Sequence, residues 1–215
     1  MKKEEREQLM LQKLEDMLVY ERDLWGEEIV FVGGVDEVGR GPLAGPVCAA
    51  CVVLPQDWDI PGINDSKKLS EKRRNELYIK IIENSLAYGI GLIENERIDE
   101  VNILNATKEA MMIAIRSANE KLDGGIGHLL VDAVKLPEAG IPGTALVKGD
   151  EKSVSIAAAS IVAKVTRDRI MTEFDNIFPG YGFAQNKGYG TEAHYAGLRA
   201  QGPCILHRQT FIKNL

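Results

Sequence analysis

Gly33-Gly34-Val35-Asp36-Glu37-Val38-Gly39-Arg40-Gly41-Pro42-Leu43-Ala44-Gly45-Pro46-Val47 is the stretch from which the fold is read. An apolar run, Ile29 to Val32, leads into it, and another, Val47 to Leu54, leads out. Both have strand length, and the turn between them is too short for a crossover helix, so they are expected as antiparallel neighbours over Ile29–Asp36 and Val47–Leu54. Two adjacent carboxylates, Asp36 and Glu37, stand where the first strand should end, and Arg40 sits between Gly39 and Gly41. Glycine lets another backbone or a ligand come close, so a ligand can lie against this turn with the carboxylates beside it. Strand neighbours face opposite ways. Both carboxylates therefore serve one site only if the strand ends or distorts there.

Outward from this stretch, Leu9 to Leu24 reads as an amphipathic helix with Leu11, Leu14, Met17, Leu18 and Leu24 on one stripe. It is expected to be an N-terminal helical appendage over residues 1–28, ahead of a main domain over 29–215. Ser70 is placed to cap a helix over Glu71–Asn84. Leu86 to Ile93 suggests a third strand whose Gly89 and Gly91 mark a close approach or bulge. A helix over Ile98–Asn119 follows, with Ile98, Val101, Leu104, Met111, Met112 and Ile115 as core. His128 to Val131 is a short strand ending on Asp132, and Ala145 to Val147 is another, followed by Lys148-Gly149-Asp150. Ser155 to Asn176 is the strongest helix. Pro179-Gly180-Tyr181-Gly182 breaks it, and a last helix starts at Thr191. This order predicts an α/β fold, a mixed five-stranded sheet flanked by helices with a C-terminal helical extension.

The 215 residues, 45% of them hydrophobic, can bury a sizeable core. No apolar run nears the roughly 18 residues a membrane span needs, and the N-terminus lacks the apolar segment of a signal peptide, so a soluble, cytoplasmic protein is expected. Cys48 and Cys51 form a Cys-x-x-Cys, but residues three apart on a strand point to opposite faces, and no second pair follows; they read as small core hydrophobes. The net charge of −6 is uneven: residues 1–28 carry nine acidic and five basic side chains, or −4. Lys67, Lys68, Lys72, Arg73 and Arg74 cluster in the remainder. The acidic total thus does not exclude a nucleic-acid partner.

Four carboxylates, Asp36, Glu37, Asp132 and Asp150, stand at or just beyond predicted strand ends, where open α/β sheets place their sites. Gathered without counter-ions they would repel and take up protons. Divalent cations relieve this, and oxygen ligands without Cys or His favour Mg²⁺ or Mn²⁺ over zinc. A pair of such ions can activate a water and stabilise the leaving oxygen of an in-line displacement at phosphorus. A competing reading takes Gly39-Arg40-Gly41-Pro42-Leu43-Ala44 as a dinucleotide fingerprint, with Asp57 or Asp59 for the ribose; that motif needs a helix next, whereas Pro46 and a β-rich run follow. His128, His194 and His207 read as structural.

The run from Asp36 to Pro46, Asp65-Ser66-Lys67-Lys68-Leu69, Val131-Asp132, Val147-Lys148-Gly149-Asp150, Ala158 to Asp168 and Asn186-Lys187-Gly188-Tyr189-Gly190 together resemble ribonuclease HII in matching order, from about Leu14 to Phe211. Ribonuclease HIII, with Gly-Lys-Gly after its carboxylate pair and a large N-terminal domain, resembles the chain less. One departure is Ala133, where many family members have Gly. The resemblance implies a ribonuclease H-like fold. It also implies two Mg²⁺ or Mn²⁺ ions on Asp36, Glu37, Asp132 and Asp150, and an endonuclease leaving 5′-phosphate and 3′-hydroxyl ends. Gly39, Arg40 and Gly41 would hold the ribonucleotide and sense its 2′-hydroxyl, the group that separates RNA from DNA. Tyr189 would stack on the next sugar, and Lys67 and Lys148 would contact phosphates. The implied partners are RNA–DNA hybrid and ribonucleotide-containing duplex DNA, met by a monomer away from membranes, with a replication clamp as a further candidate. A catalytically silent hybrid-binding module is the alternative that a metal-dependent assay separates.

Overall fold

The computed structural model describes residues 3–213; the outermost residues of the two expected segments, 1–2 and 214–215, lie outside the described residues. In chain order its elements are α1 (Lys3–Met17), α2 (Val19–Gly26), β1 (Val32–Val38), β2 (Val47–Val53), α3 (Glu71–Asn84), β3 (Ala87–Ile93), α4 (Asn95–Val101) and α5 (Ile103–Asn119). Then come β4 (His128–Asp132), β5 (Gly143–Leu146), α6 (Val154–Ile177), α7 (Phe183–Asn186), α8 (Glu192–Gln201) and α9 (Gln209–Ile212). The five strands lie in the order β3-β2-β1-β4-β5. β1 and β2 pair antiparallel as the short turn required, β3 adds antiparallel to β2, and β4 and β5 run parallel to β1. This is the mixed five-stranded α/β sheet read from the sequence.

Both faces of the sheet are covered. One packs against α6 through Cys48, Ala50 and Val52, the other against α5 through Ala49, Cys51 and Val53. The two cysteines thus sit in separate halves of the core, both free, and burial pushes each thiol up to about 12. A redox or metal pair is ruled out by this alternation. Gly89 and Gly91 mark a close approach, as predicted: a Cβ on Gly91 would lie 1.9 Å from the Ala110 carbonyl oxygen, so α5 lies directly on β3.

Two expected helices are broken. Asn102 interrupts Ile98–Asn119 with φ +68° and caps α5 by accepting from the Leu104 and Asn105 amides. The positive φ ends the preceding helix, and the short side chain satisfies the orphan donors of the new one. Leu104, expected in the core, is exposed in that first turn, whereas Met111 is buried. At the other end the single helix over Leu9–Leu24 is two, divided at Leu18. Leu14, Met17 and Leu18 enter the main core, but Leu11 is exposed.

Glu21, fully buried on α2, accepts from Ser153 Oγ at 2.6 Å and from the Ser155 amide at 2.9 Å. A carboxylate there meets the unpaired donors and the positive end of the α6 dipole. The N-terminal helices therefore help seat α6, the helix that carries one wall of the site.

Candidate active site

The parallel strands bring their C-terminal ends to one edge of the sheet. Asp36 and Glu37 lie near the end of β1, Asp132 is the last residue of β4, and Asp150 lies in a 3₁₀ turn, Gly149–Glu151, between β5 and α6. β1 does not end at Asp36 but stays in register with β2 through Val38. The expected end or distortion of the strand does not occur, and the two side chains leave opposite faces; at this end of the sheet both still border Asp132, whose charge acts on each. Asp36 turns to the α6 face, where the nearby Ser160 side chain opposes the rise in its pKa. Glu37 turns the other way, and Arg40 Nη1 donates to its Oε1 at 3.3 Å.

The remaining contacts knit the edge together. Asp132 Oδ1 accepts from the Gly149 amide at 2.6 Å, tying the turn that holds Asp150 to β4. Asp36 Oδ1 accepts from the Glu37 amide at 2.7 Å. Burial pushes the Asp36 carboxyl well above the usual carboxylate range, and the charges of Glu37 and Asp132 push it further. Burial also raises Glu37, with Arg40 opposing, and raises Asp150, with help from Asp65 and Asp132. Asp132 is thus the common neighbour: its charge acts on Asp36, Glu37 and Asp150 alike.

A hard divalent cation fits these residues. The donors are all carboxylate oxygens, and Glu37 Oε2 is buried with no hydrogen-bond partner. In the conformation described, no three Asp, Glu, His or Cys side chains among the described residues enclose a common ion site. One oxygen each of Asp36, Glu37 and Asp132 is occupied by the amide and guanidinium contacts above.

Lys67 is exposed, and its charge acts on both Glu37 and Asp150. Lys148 is also exposed and acts on Glu151, at the border of the cluster. Tyr189, 43% exposed, lies over the Gly39–Gly45 loop: a Cβ on Gly41 would sit 3.5 Å from its ring, and the Gly188 carbonyl accepts from the Leu43 amide at 2.8 Å. The loop is followed by β2 and not by a helix, so the dinucleotide reading fails.

Over residues 33–214 the chain matches the family model described as Ribonuclease HII. The chain belongs to the ribonuclease HII family. A ribonuclease HII of Caldanaerobacter subterraneus subsp. tengcongensis is 51% identical over 205 residues, covering 95% of this chain and 83% of that one. Among solved structures, ribonuclease H2 from Pyrococcus horikoshii OT3 superposes with a TM-score of 0.69 at 29% identity, over 84% of this chain and 93% of that one. The ribonuclease HII of Archaeoglobus fulgidus, solved as a complex with PCNA, gives 0.68 at 28% identity, over 83% and 93%. The enzyme is thus a ribonuclease H, a metal-dependent hydrolase with the fold the resemblance implied.

Ala133, the departure from the family pattern, adopts φ +52° directly after Asp132. An L side chain there costs about 1–2 kcal/mol, so Ala133→Gly is expected to stabilise the enzyme by about 0.5–1 kcal/mol once the greater freedom of unfolded Gly is deducted. Urea unfolding with an unchanged m-value checks this.

Sequence reading missed several supports of the site. Asp65 is buried, caps the turn Ser66–Lys68 by accepting from the Lys67 amide at 2.9 Å, and raises Asp150. Ser66 Oγ meets Ser160 Oγ at 2.9 Å, linking that turn to the neighbour of Asp36. His194 and His207 are buried and structural, as read: their Nε2 atoms are 3.0 Å apart and His194 Nδ1 holds the Tyr189 carbonyl at 2.9 Å. Nothing in the local sequence marks these long-range pairs.

Proposed function

We propose that this enzyme hydrolyses the RNA strand of RNA–DNA hybrids and incises on the 5′ side of a single ribonucleotide embedded in duplex DNA. The observation that carries this reading is the position of Asp36, Glu37, Asp132 and Asp150 at one sheet edge, beside a glycine loop overlaid by Tyr189. In this reading the four carboxylates hold two Mg²⁺ or Mn²⁺ ions, which when bound supply an activated water and stabilise the leaving oxygen. With their charge compensated, the carboxylates no longer repel an approaching phosphodiester. Lys67, beside Glu37 and Asp150, attracts the phosphate backbone, and Lys148 contacts it farther out. Such contacts position the duplex without reading sequence. The Gly39-Arg40-Gly41 backbone meets the 2′-hydroxyl, and Tyr189 offers its exposed ring to the sugar of the following deoxynucleotide.

The test is a duplex DNA carrying one ribonucleotide, incubated with Mg²⁺ or Mn²⁺. Incision leaving a 3′-hydroxyl and a 5′-phosphate on the ribonucleotide is expected, and none in excess EDTA. An intact duplex would reject the reading, and persistent cleavage in EDTA would reject its metal part. Tyr189→Ala is expected to lower cleavage at the RNA to DNA junction on the order of tenfold, since base or sugar stacking on an aromatic ring is worth about 1–3 kcal/mol. Uniform hybrids should lose less; an equal loss on both substrates would remove the stacking role.

A further inference from the structure

Arg208 lies in the C-terminal segment, far along the chain from the carboxylates, yet it is fully buried beneath the Gly39–Gly45 loop. Its Nη2 donates to the Gly39 carbonyl at 2.6 Å and to the Gly45 carbonyl at 2.8 Å, its Nη1 to the Arg40 carbonyl at 3.0 Å, and its Nε to the Gly45 carbonyl at 3.1 Å. Arg167, also fully buried, donates to the carbonyls of Pro46 at 2.8 Å, Ala44 at 3.2 Å and Lys187 at 2.8 Å. Among the described residues neither guanidinium forms an ion pair with a carboxylate. Their charge is met by peptide dipoles, an expensive arrangement for mere packing. The segment is itself anchored: Asp99 accepts from the Gln209 and Thr210 amides, and Asn95 Nδ2 donates to the Ile205 carbonyl at 2.8 Å.

The consequence lies on the other side of each peptide. In a trans peptide the carbonyl and the next amide point in opposite directions, and no cis peptide bond occurs among the described residues. Drawing the Gly39 and Arg40 carbonyls inward onto one guanidinium therefore turns the Arg40 and Gly41 N–H groups outward. Neither amide has a hydrogen-bond partner among the described residues. Two adjacent free donors, polarised by a cation on their carbonyl side, face the surface that Tyr189 overlies.

We infer that Arg208 is a positioning residue which, through the Gly39 and Arg40 carbonyls, aims the Arg40 and Gly41 amides at the oxygens of a bound ribonucleotide. This rests on the proposed ribonucleotide site and assigns its geometry to a residue that never touches substrate. Lysine gathers its donors on one nitrogen and lacks the planar fork with which three separate Arg208 nitrogens reach these carbonyls. Arg208→Lys is therefore expected to lower kcat on the single-ribonucleotide duplex on the order of 10²-fold, the usual loss when preorganised donors are displaced. KM, set by the phosphate contacts, should change less than about threefold, and Mn²⁺ affinity should stay the same. A purely structural role would instead lower the melting temperature and leave the kcat of the folded fraction unchanged.

A folded Arg208→Lys enzyme with wild-type kcat would overturn the inference. If that variant does not fold, amide NMR decides: in the Asp36→Asn enzyme, binding the ribonucleotide duplex should shift the Arg40 and Gly41 amide resonances and slow their exchange with solvent. Unmoved resonances in a saturated complex would overturn it equally. Failure of the wild-type enzyme to incise the duplex would instead reject the proposed function, so the two failures are distinguishable.

Discussion

Asp36→Asn is expected to abolish turnover, by on the order of 10³-fold or more, and at the same time to make the metal-free enzyme more stable. The loss follows from the proposed site, in which a charged oxygen ligand disappears while the volume and the acceptor for the Glu37 amide remain. The gain in stability follows from the raised pKa of Asp36, caused first by burial and then by the charges of Glu37 and Asp132. A carboxyl whose folded value lies above its unfolded value binds its proton more tightly in the folded state. Its stabilising effect is present below the ordinary carboxylate range and is lost as pH rises through the raised value. At neutral pH wild-type Asp36 is therefore a burden, and the neutral amide relieves it. On acidification the difference should shrink, because the wild-type carboxyl then becomes neutral as well. Urea unfolding in EDTA at neutral and mildly acidic pH measures both the sign and the trend. Equal stability at every pH would mean that Asp36 is not desolvated as described.

Gly34→Ala is expected to destabilise the enzyme by about 3 kcal/mol or more, beyond the ordinary range for overpacking, and to lower activity with it. A Cβ on Gly34 would lie 2.0 Å from the Ser155 carbonyl carbon and 2.4 Å from the Ile156 amide nitrogen. Those atoms belong to the helix backbone and cannot rotate away, so α6 must lift from β1. Lifting it moves Ser160, the neighbour of Asp36, and strains the Glu21 contacts to Ser153 and Ser155. A melting temperature within 2–3 °C of wild type, less than about 1 kcal/mol in a domain of this size, would contradict this packing.

The sheet was legible in the sequence because its strands are short apolar runs bounded by turn residues. The caps Ser70 and Thr191 were legible as well, since each accepts from the amide three residues on. The placement of the four carboxylates near strand ends was legible because a polar residue after an apolar run stands out. What could not be read was local continuity. Asn102 breaks a helix through one residue of positive φ, and β1 continues past Asp36 because β2 keeps offering ladder partners through Cys48. Nor could sequence disclose the tertiary supports: Glu21 on the α6 terminus, Asp65 near Asp150, and the two arginines under the glycine loop. Each is a polar residue whose meaning depends on a partner up to 169 positions away.

Taken in isolation, each carboxylate is ordinary; in the proposed site a shared ion gives them a reaction to perform. The most direct measurement is Mn²⁺ uptake followed by electron paramagnetic resonance, in the wild-type enzyme and in Asp132→Asn, with urea unfolding confirming that both are folded. The wild type should take up Mn²⁺, and the variant should bind it at least tenfold more weakly, although Asp132 is separated by 96 positions from Asp36. Identical uptake by the two proteins, or none by the wild type, would contradict a cation site built jointly from β1, β4 and the turn at Asp150.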